Sequence, residues 1–181
     1  MVDAYQTLED KDNIDHVETS GPFKCTRQDA WLGHGYYFWD TNMDWAIEWG
    51  VNAFEKKNKQ FIIGKCVVDI TNNCFDLVGS VAHQMDLIDI LETLKESGKL
   101  KHYHRRILPN IIQYMKNKQI FGYKSIRAAD VTSKVIRLHF SQKAERQEYM
   151  MINQRVQICV IDKKDVILPP FTVVYPEMYL T

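Results

Sequence analysis

The sequence has no surplus charge of either sign. Across 181 residues, 23 Lys and Arg balance 23 Asp and Glu, with a pI near 7.0. No global field therefore draws the chain to nucleic acid or to an acidic membrane. Cysteine is scarce: Cys25, Cys66, Cys74 and Cys159 form no CxxC pair, and no cysteine–histidine cluster has zinc spacing. Cys66 and Cys159 fall inside apolar runs, where a reduced thiol behaves as a small hydrophobe, and a cytoplasmic location is the expectation. No apolar run approaches the roughly 20 residues needed to span a bilayer. Residues 1–5 show no basic start leading into an apolar core, so neither a membrane partner nor a signal peptide is expected. Walker loops, a Gly-x-Gly-x-x-Gly turn and an interpretable Ser-His-Asp set are lacking too. Without repeats, low-complexity segments or linkers, residues 1–181 read as one domain.

What is present reads as α+β. Hydrophobic residues make up 45% and charged residues 25%, the balance of an ordinary folded protein. A short strand is expected at 4–7, and a helix over 12–18 with Ile14 and Val17 on one face. Asp40-Thr41-Asn42 offers N-cap chemistry for a helix carrying Trp45, Ala46 and Trp49. Residues 61–70 form the clearest strand, apolar enough to be buried on both faces. A helix over 81–96 places Val81, Met85, Ile88, Leu91 and Leu94 on its apolar face. A second helix is expected from near His102, through Pro109, to Met115. Lys101, His102, His104, Arg105 and Arg106 cluster between the two as a solvated connection, with nucleic-acid contact as the alternative. Residues 122–134 look turn-like, and strands are expected at 135–140 (half-buried), 155–161, 166–168 and 171–174.

The segment Leu32-Gly33-His34-Gly35-Tyr36-Tyr37-Phe38-Trp39-Asp40 concentrates the chemistry. Two glycines one residue apart permit close backbone approach or a positive φ. Four consecutive aromatics then leave that bend, with π-faces able to stack on a flat heterocycle. On the next helix, residues 45 and 49 share a face, so Trp45 or Trp49 offers a second ring wall for a flat cation. His34, between the glycines, reads as a loop histidine facing water or as a group at a pocket mouth.

This segment resembles the Gly-x-Gly-Ile-Tyr-Phe-Ala segment of poly(ADP-ribose) polymerases and related bacterial ADP-ribosyltransferases. Gln147-Glu148-Tyr149-Met150-Met151-Ile152 resembles the same family's Asn-Glu-Tyr-Ile-Val-Tyr segment. The resemblance implies split antiparallel sheets with flanking helices and a helical middle insert, and NAD as co-substrate in the cleft between the sheets. Tyr37 and Trp49, with Trp45 as the alternative, would sandwich nicotinamide beside Gly33, Gly35 and Tyr36. Gln6 and Thr7 would hold a ribose, although Gln6 stands where the family has histidine and its glycine is lost. Tyr37 and Glu148 are the catalytic candidates, with Glu145 as the alternative carboxylate. A carboxylate there would stabilise an oxocarbenium-like state as the nicotinamide bond breaks. ADP-ribose would then pass to an acceptor, macromolecular or small, or to water. A binding or interaction domain of the same fold that does not turn NAD over is the competing reading. An aromatic groove for single-stranded nucleic acid is the third.

Overall fold

The computed structural model describes residues 1–98, 108–130, 134, 136–140 and 148–179. Its strands are β1 (Val2–Glu9), β2 (Tyr36–Asp40), β3 (Phe61–Val68), β4 (Cys74–Asp76), β5 (Ser125–Asp130), β6 (Ile136–His139), β7 (Tyr149–Ile152), β8 (Arg155–Val160) and β9 (Ile167–Tyr175). Its helices are α1 (Ile14–Ser20), α2 (Met43–Ala53), α3 (Val81–Glu96) and α4 (Leu108–Asn117). Seven strands form one mixed sheet in the order β4-β5-β8-β2-β1-β3-β9, while β6 and β7 pair as a separate hairpin. Only β4 and β5 run parallel. Where two split sheets are expected from the sequence, the ladder is continuous. Its β1–β2 seam, however, holds only two residue pairs, Ala4 with Asp40 and Tyr5 with Trp39. Among the described residues, no helix is long and apolar enough to cross a membrane.

Alternation along the strands assigns the two faces. Phe38, Ile158 and Val160 join Val17 of α1 in one cluster, with Tyr36 packed against it. On the opposite face lie two clusters. Cys159 and Ile126 pack with Leu94 of α3 and with Ile111, Ile112 and Met115 of α4, and Tyr37 leans on them. Trp39 packs with Phe61, Ile63, Trp45 and Ala46 under α2. The gap between these two clusters lies over β2.

Local chemistry explains most boundaries. Asn42 caps α2, its side chain accepting from the Asp44 amide at 2.9 Å, and Ser80 caps α3 through the His83 amide at 3.2 Å. Gly98, at φ +66°, follows the end of α3 in a conformation glycine adopts without strain. Several expectations need correction. Residues 125–130 are a strand in the sheet, not a turn, because the charge at Arg127 is neutralised by Asp40 of β2 (2.6 Å) and Asp76 of β4 (3.2 Å). Of the expected apolar face of α3, Val81, Met85 and Ile88 are exposed. The helix instead turns Leu87, Ile90, Leu91 and Leu94 to the core. The strand at 136–139 is exposed rather than half-buried. The two expected C-terminal strands are one, β9, which contains Pro169 and Pro170. At this outer edge the Val173 amide donates to Glu18 of α1 at 2.7 Å. The part of the second helix expected before residue 108, and the basic cluster at 101–106, lie outside the described residues.

The Arg127 network has a pH signature. Burial pushes the Asp76 carboxyl up, but the Gly79 and Val78 amides and then Arg127 outweigh it, holding its pKa below the ordinary value. A carboxylate whose folded pKa lies below its unfolded one stabilises the fold above the unfolded value, about pH 4, and loses that contribution as pH falls through the folded value. Urea unfolding from pH 6 to pH 2 should therefore show an acid limb that Asp76→Asn makes shallower.

Candidate functional site

The gap over β2 is a cleft of about 520 Å³. Period-two alternation brings Tyr37 and Trp39 to its floor, and the β2–β8 register sets Gln157 beside Trp39. One helical turn beyond Trp45, α2 contributes Trp49, whose ring lies 6.2 Å from Trp39 at 52°. The loop between α1 and β2 contributes Phe23, Lys24, Cys25, Arg27, Asp29 and Trp31. The Trp31 indole N–H donates to Gln157 Oε1 at 2.6 Å, fixing loop to floor. At one end, the β5–β8 register sets Asp130 opposite Arg155, and the pair forms a two-point ion pair, with Arg155 Nε 2.8 Å from Asp130 Oδ1 and Nη2 on Oδ2.

Two guanidiniums lie on the indoles. Arg27 Cζ is 5.6 Å from the Trp49 ring centroid and Arg155 Cζ is 5.9 Å from that of Trp39. Arg27 is also 3.4 Å from Asp29, both of them exposed. The cleft thus combines large aromatic walls with cationic groups held by carboxylates. Such a lining suits a flat conjugated ring joined to an anionic group.

Four residues singled out from the sequence meet here: Gln6, Thr7, Tyr37 and Trp49. Three of them have their polar atoms committed within the protein. Gln6 is 5% exposed. Its amide nitrogen donates to Phe23 O (2.9 Å) and Tyr37 O (3.3 Å), and its oxygen accepts from the Phe23 amide (2.8 Å). That fills both of its donor sites, so Gln6 is a strap across the short β1–β2 seam. Thr7 donates to Ala46 O of α2 at 2.8 Å. The Tyr37 hydroxyl donates to Gly33 O at 2.7 Å and accepts from the Leu32 amide at 2.9 Å. Burial first, then Cys159, pushes its pKa far above the usual tyrosine value, and it stays protonated.

The other candidates lie elsewhere. Tyr36 faces the opposite cluster, with Lys163 Nζ 5.7 Å from its ring centroid. Trp45 is 3% exposed inside the α2 cluster, away from the cleft lining. Gly33 and Gly35 do not line the cleft. Gly33 supplies φ +85° for the bend that presents its carbonyl to Tyr37. A Cβ on Gly35 would lie 2.5 Å from Cys159 Sγ and 2.7 Å from Val160 O, so this glycine lets β2 approach β8. His34 is exposed in the loop. Glu148 is exposed just before β7 of the β6–β7 hairpin, where its carbonyl accepts from the Phe140 amide, and it does not line the cleft. Glu145 lies outside the described residues.

Sequence reading missed Trp31, Arg27, Asp130, Arg155 and Gln157. The available signal was the alternation Arg155, Gln157, Cys159 along β8, which aligns the floor once β8 is paired with β2. Gly35→Val should lower stability by about 1–3 kcal/mol, as overpacking typically does. Gly122→Ala, with nothing within 4 Å of its Cβ, should stay within about 0.5 kcal/mol in the same denaturation assay.

Comparison with protein-family models, with curated proteins and with solved structures gives no match to this chain.

Proposed function

We propose that the chain is a nucleotide-binding module that takes NAD or ADP-ribose in the aromatic cleft, in an ADP-ribosyltransferase-like arrangement, without turning the ligand over. The observation that carries this reading is the lining itself. Trp31, Trp39, Trp49 and Tyr37 share one cleft with Arg27 and Arg155, and the volume of about 520 Å³ suits a ligand of nucleotide size. Aromatic faces take the ring, and guanidinium forks take phosphate oxygens.

Transfer chemistry calls for a carboxylate beside the bond that breaks. Among the described residues the carboxylates that line the cleft, Asp29 and Asp130, are ion-paired with Arg27 and Arg155. Glu148 stands on the hairpin instead, with its side chain exposed. Tyr37 is a wall and not an acid or base, since its hydroxyl is held by Leu32 and Gly33. These placements favour the binding reading over a transferase that uses Tyr37 and Glu148.

Titration with NAD and with ADP-ribose should change tryptophan fluorescence. Trp49→Ala should weaken binding by about 1–3 kcal/mol, the range for one lost stacking partner. Cys25 gives a second readout, because it lines the cleft and is half-buried while Cys66, Cys74 and Cys159 are buried. Ligand should slow its alkylation. No response to millimolar ligand in either assay overturns nucleotide binding. Nicotinamide release by wild-type protein that Glu148→Gln abolishes restores the transferase reading.

A further inference from the structure

We infer that the cleft selects a nucleoside diphosphate carrying an uncharged terminal group, and so binds ADP-ribose or reduced NAD in preference to oxidised NAD. The inference rests on nucleotide binding in the cleft and adds to it the charge of the preferred ligand.

A pyridinium ring is recognised by bare aromatic faces. Here the two indoles best placed for it already carry cations. Arg27 lies over Trp49 at 5.6 Å and Arg155 over Trp39 at 5.9 Å. Lys24 adds a third positive charge to the lining, against the two carboxylates Asp29 and Asp130, which leaves one net positive charge among the described residues. A positively charged ring entering the cleft against the indoles meets these cations at close range. The diphosphate of the same ligand is attracted by them.

The two arginines differ in freedom. Arg155 is held by two hydrogen bonds to Asp130, and its side chain is 30% exposed. It stays on Trp39. Arg27 is 57% exposed, and its contact to Asp29 is a single one at 3.4 Å. Its planar fork can leave the indole for a phosphate, where bidentate hydrogen bonds replace the ring contact. That movement also bares the Trp49 face for an uncharged ring. Arg27 is therefore the specificity-determining residue, and it acts twice: as a phosphate ligand and as a cation that disfavours pyridinium.

Reduced and oxidised NAD share the diphosphate and the adenosine and differ at one ring, uncharged in the first and cationic in the second. Calorimetric titration of the full chain with both, and with ADP-ribose, reads the preference directly. Reduced NAD and ADP-ribose should each bind about tenfold or more tightly than oxidised NAD at low salt, as expected for one unit charge near a cation at a partly solvated site. In Arg27→Gln the ratio between reduced and oxidised NAD should fall toward one, and Arg27→Lys should restore most of it. Oxidised NAD binding as tightly as reduced NAD, or more tightly, overturns the inference while nucleotide binding stands. An unchanged ratio in Arg27→Gln overturns the role of Arg27. Absence of binding by all three ligands overturns the nucleotide reading itself.

Discussion

The seam between β1 and β2 governs much of the molecule. Seven strands hydrogen-bond in sequence, yet these two neighbours share only two residue pairs before they part. Backbone groups released by such a parting must find other partners, because an unpaired buried carbonyl or amide is expensive. Gln6 answers that demand with one side chain, reaching Tyr37 O and both backbone groups of Phe23. The strap ties the loop after α1 to the sheet, and that loop carries Arg27 and Trp31 into the cleft. Sheet opening, loop placement and cleft are thus one construction.

The remainder of the floor is held from the other side. Gly35 allows β2 to lie close to β8, so Cys159 packs beside Tyr37 and Gln157 beside Trp39. Burial pushes the Cys159 thiol up to about 12, so it stays an uncharged packing group beside the tyrosine. Farther along, Arg127 joins β5 to β2 and β4 through Asp40 and Asp76. Polar contacts across strands therefore set the frame, while apolar clusters fill the two faces.

Apolar patterning made part of this legible. The aromatic segment, α2 with its cap, β3 and β8 announce themselves; helical spacing offers Trp45 or Trp49 as a ring wall, and the pairing of Trp49 with Tyr37 comes from the family resemblance. Charged neighbours hid the rest. Nothing in Ser125-Ile126-Arg127-Ala128-Ala129-Asp130 signals a central strand until Asp40 and Asp76 are brought beside Arg127. Two apolar stripes overlap along α3, and only the neighbouring sheet and α4 decide that Leu94 is buried with Leu87, Ile90 and Leu91 partly buried beside it, while Val81 and Met85 are exposed. At Gln6, position was readable but occupation was not, since a carboxamide free for a ligand and one bound to Phe23 look the same in a sequence. Glu148 shows how far a short motif reaches: it names a residue type without fixing the strand register that would carry it to the cleft.

The bond from Val173 to Glu18 has a consequence for the sheet's outer rim. β9 is the last strand, and a bare rim of that length invites a foreign strand to continue the ladder. Here one outward amide is already claimed by a helix side chain, and Pro169 and Pro170 present no amide at all. An incoming strand would meet an interrupted row of donors and would have to displace α1 to use it. The same carboxylate that seats a seven-residue helix thus guards the protein against templated self-assembly along β9.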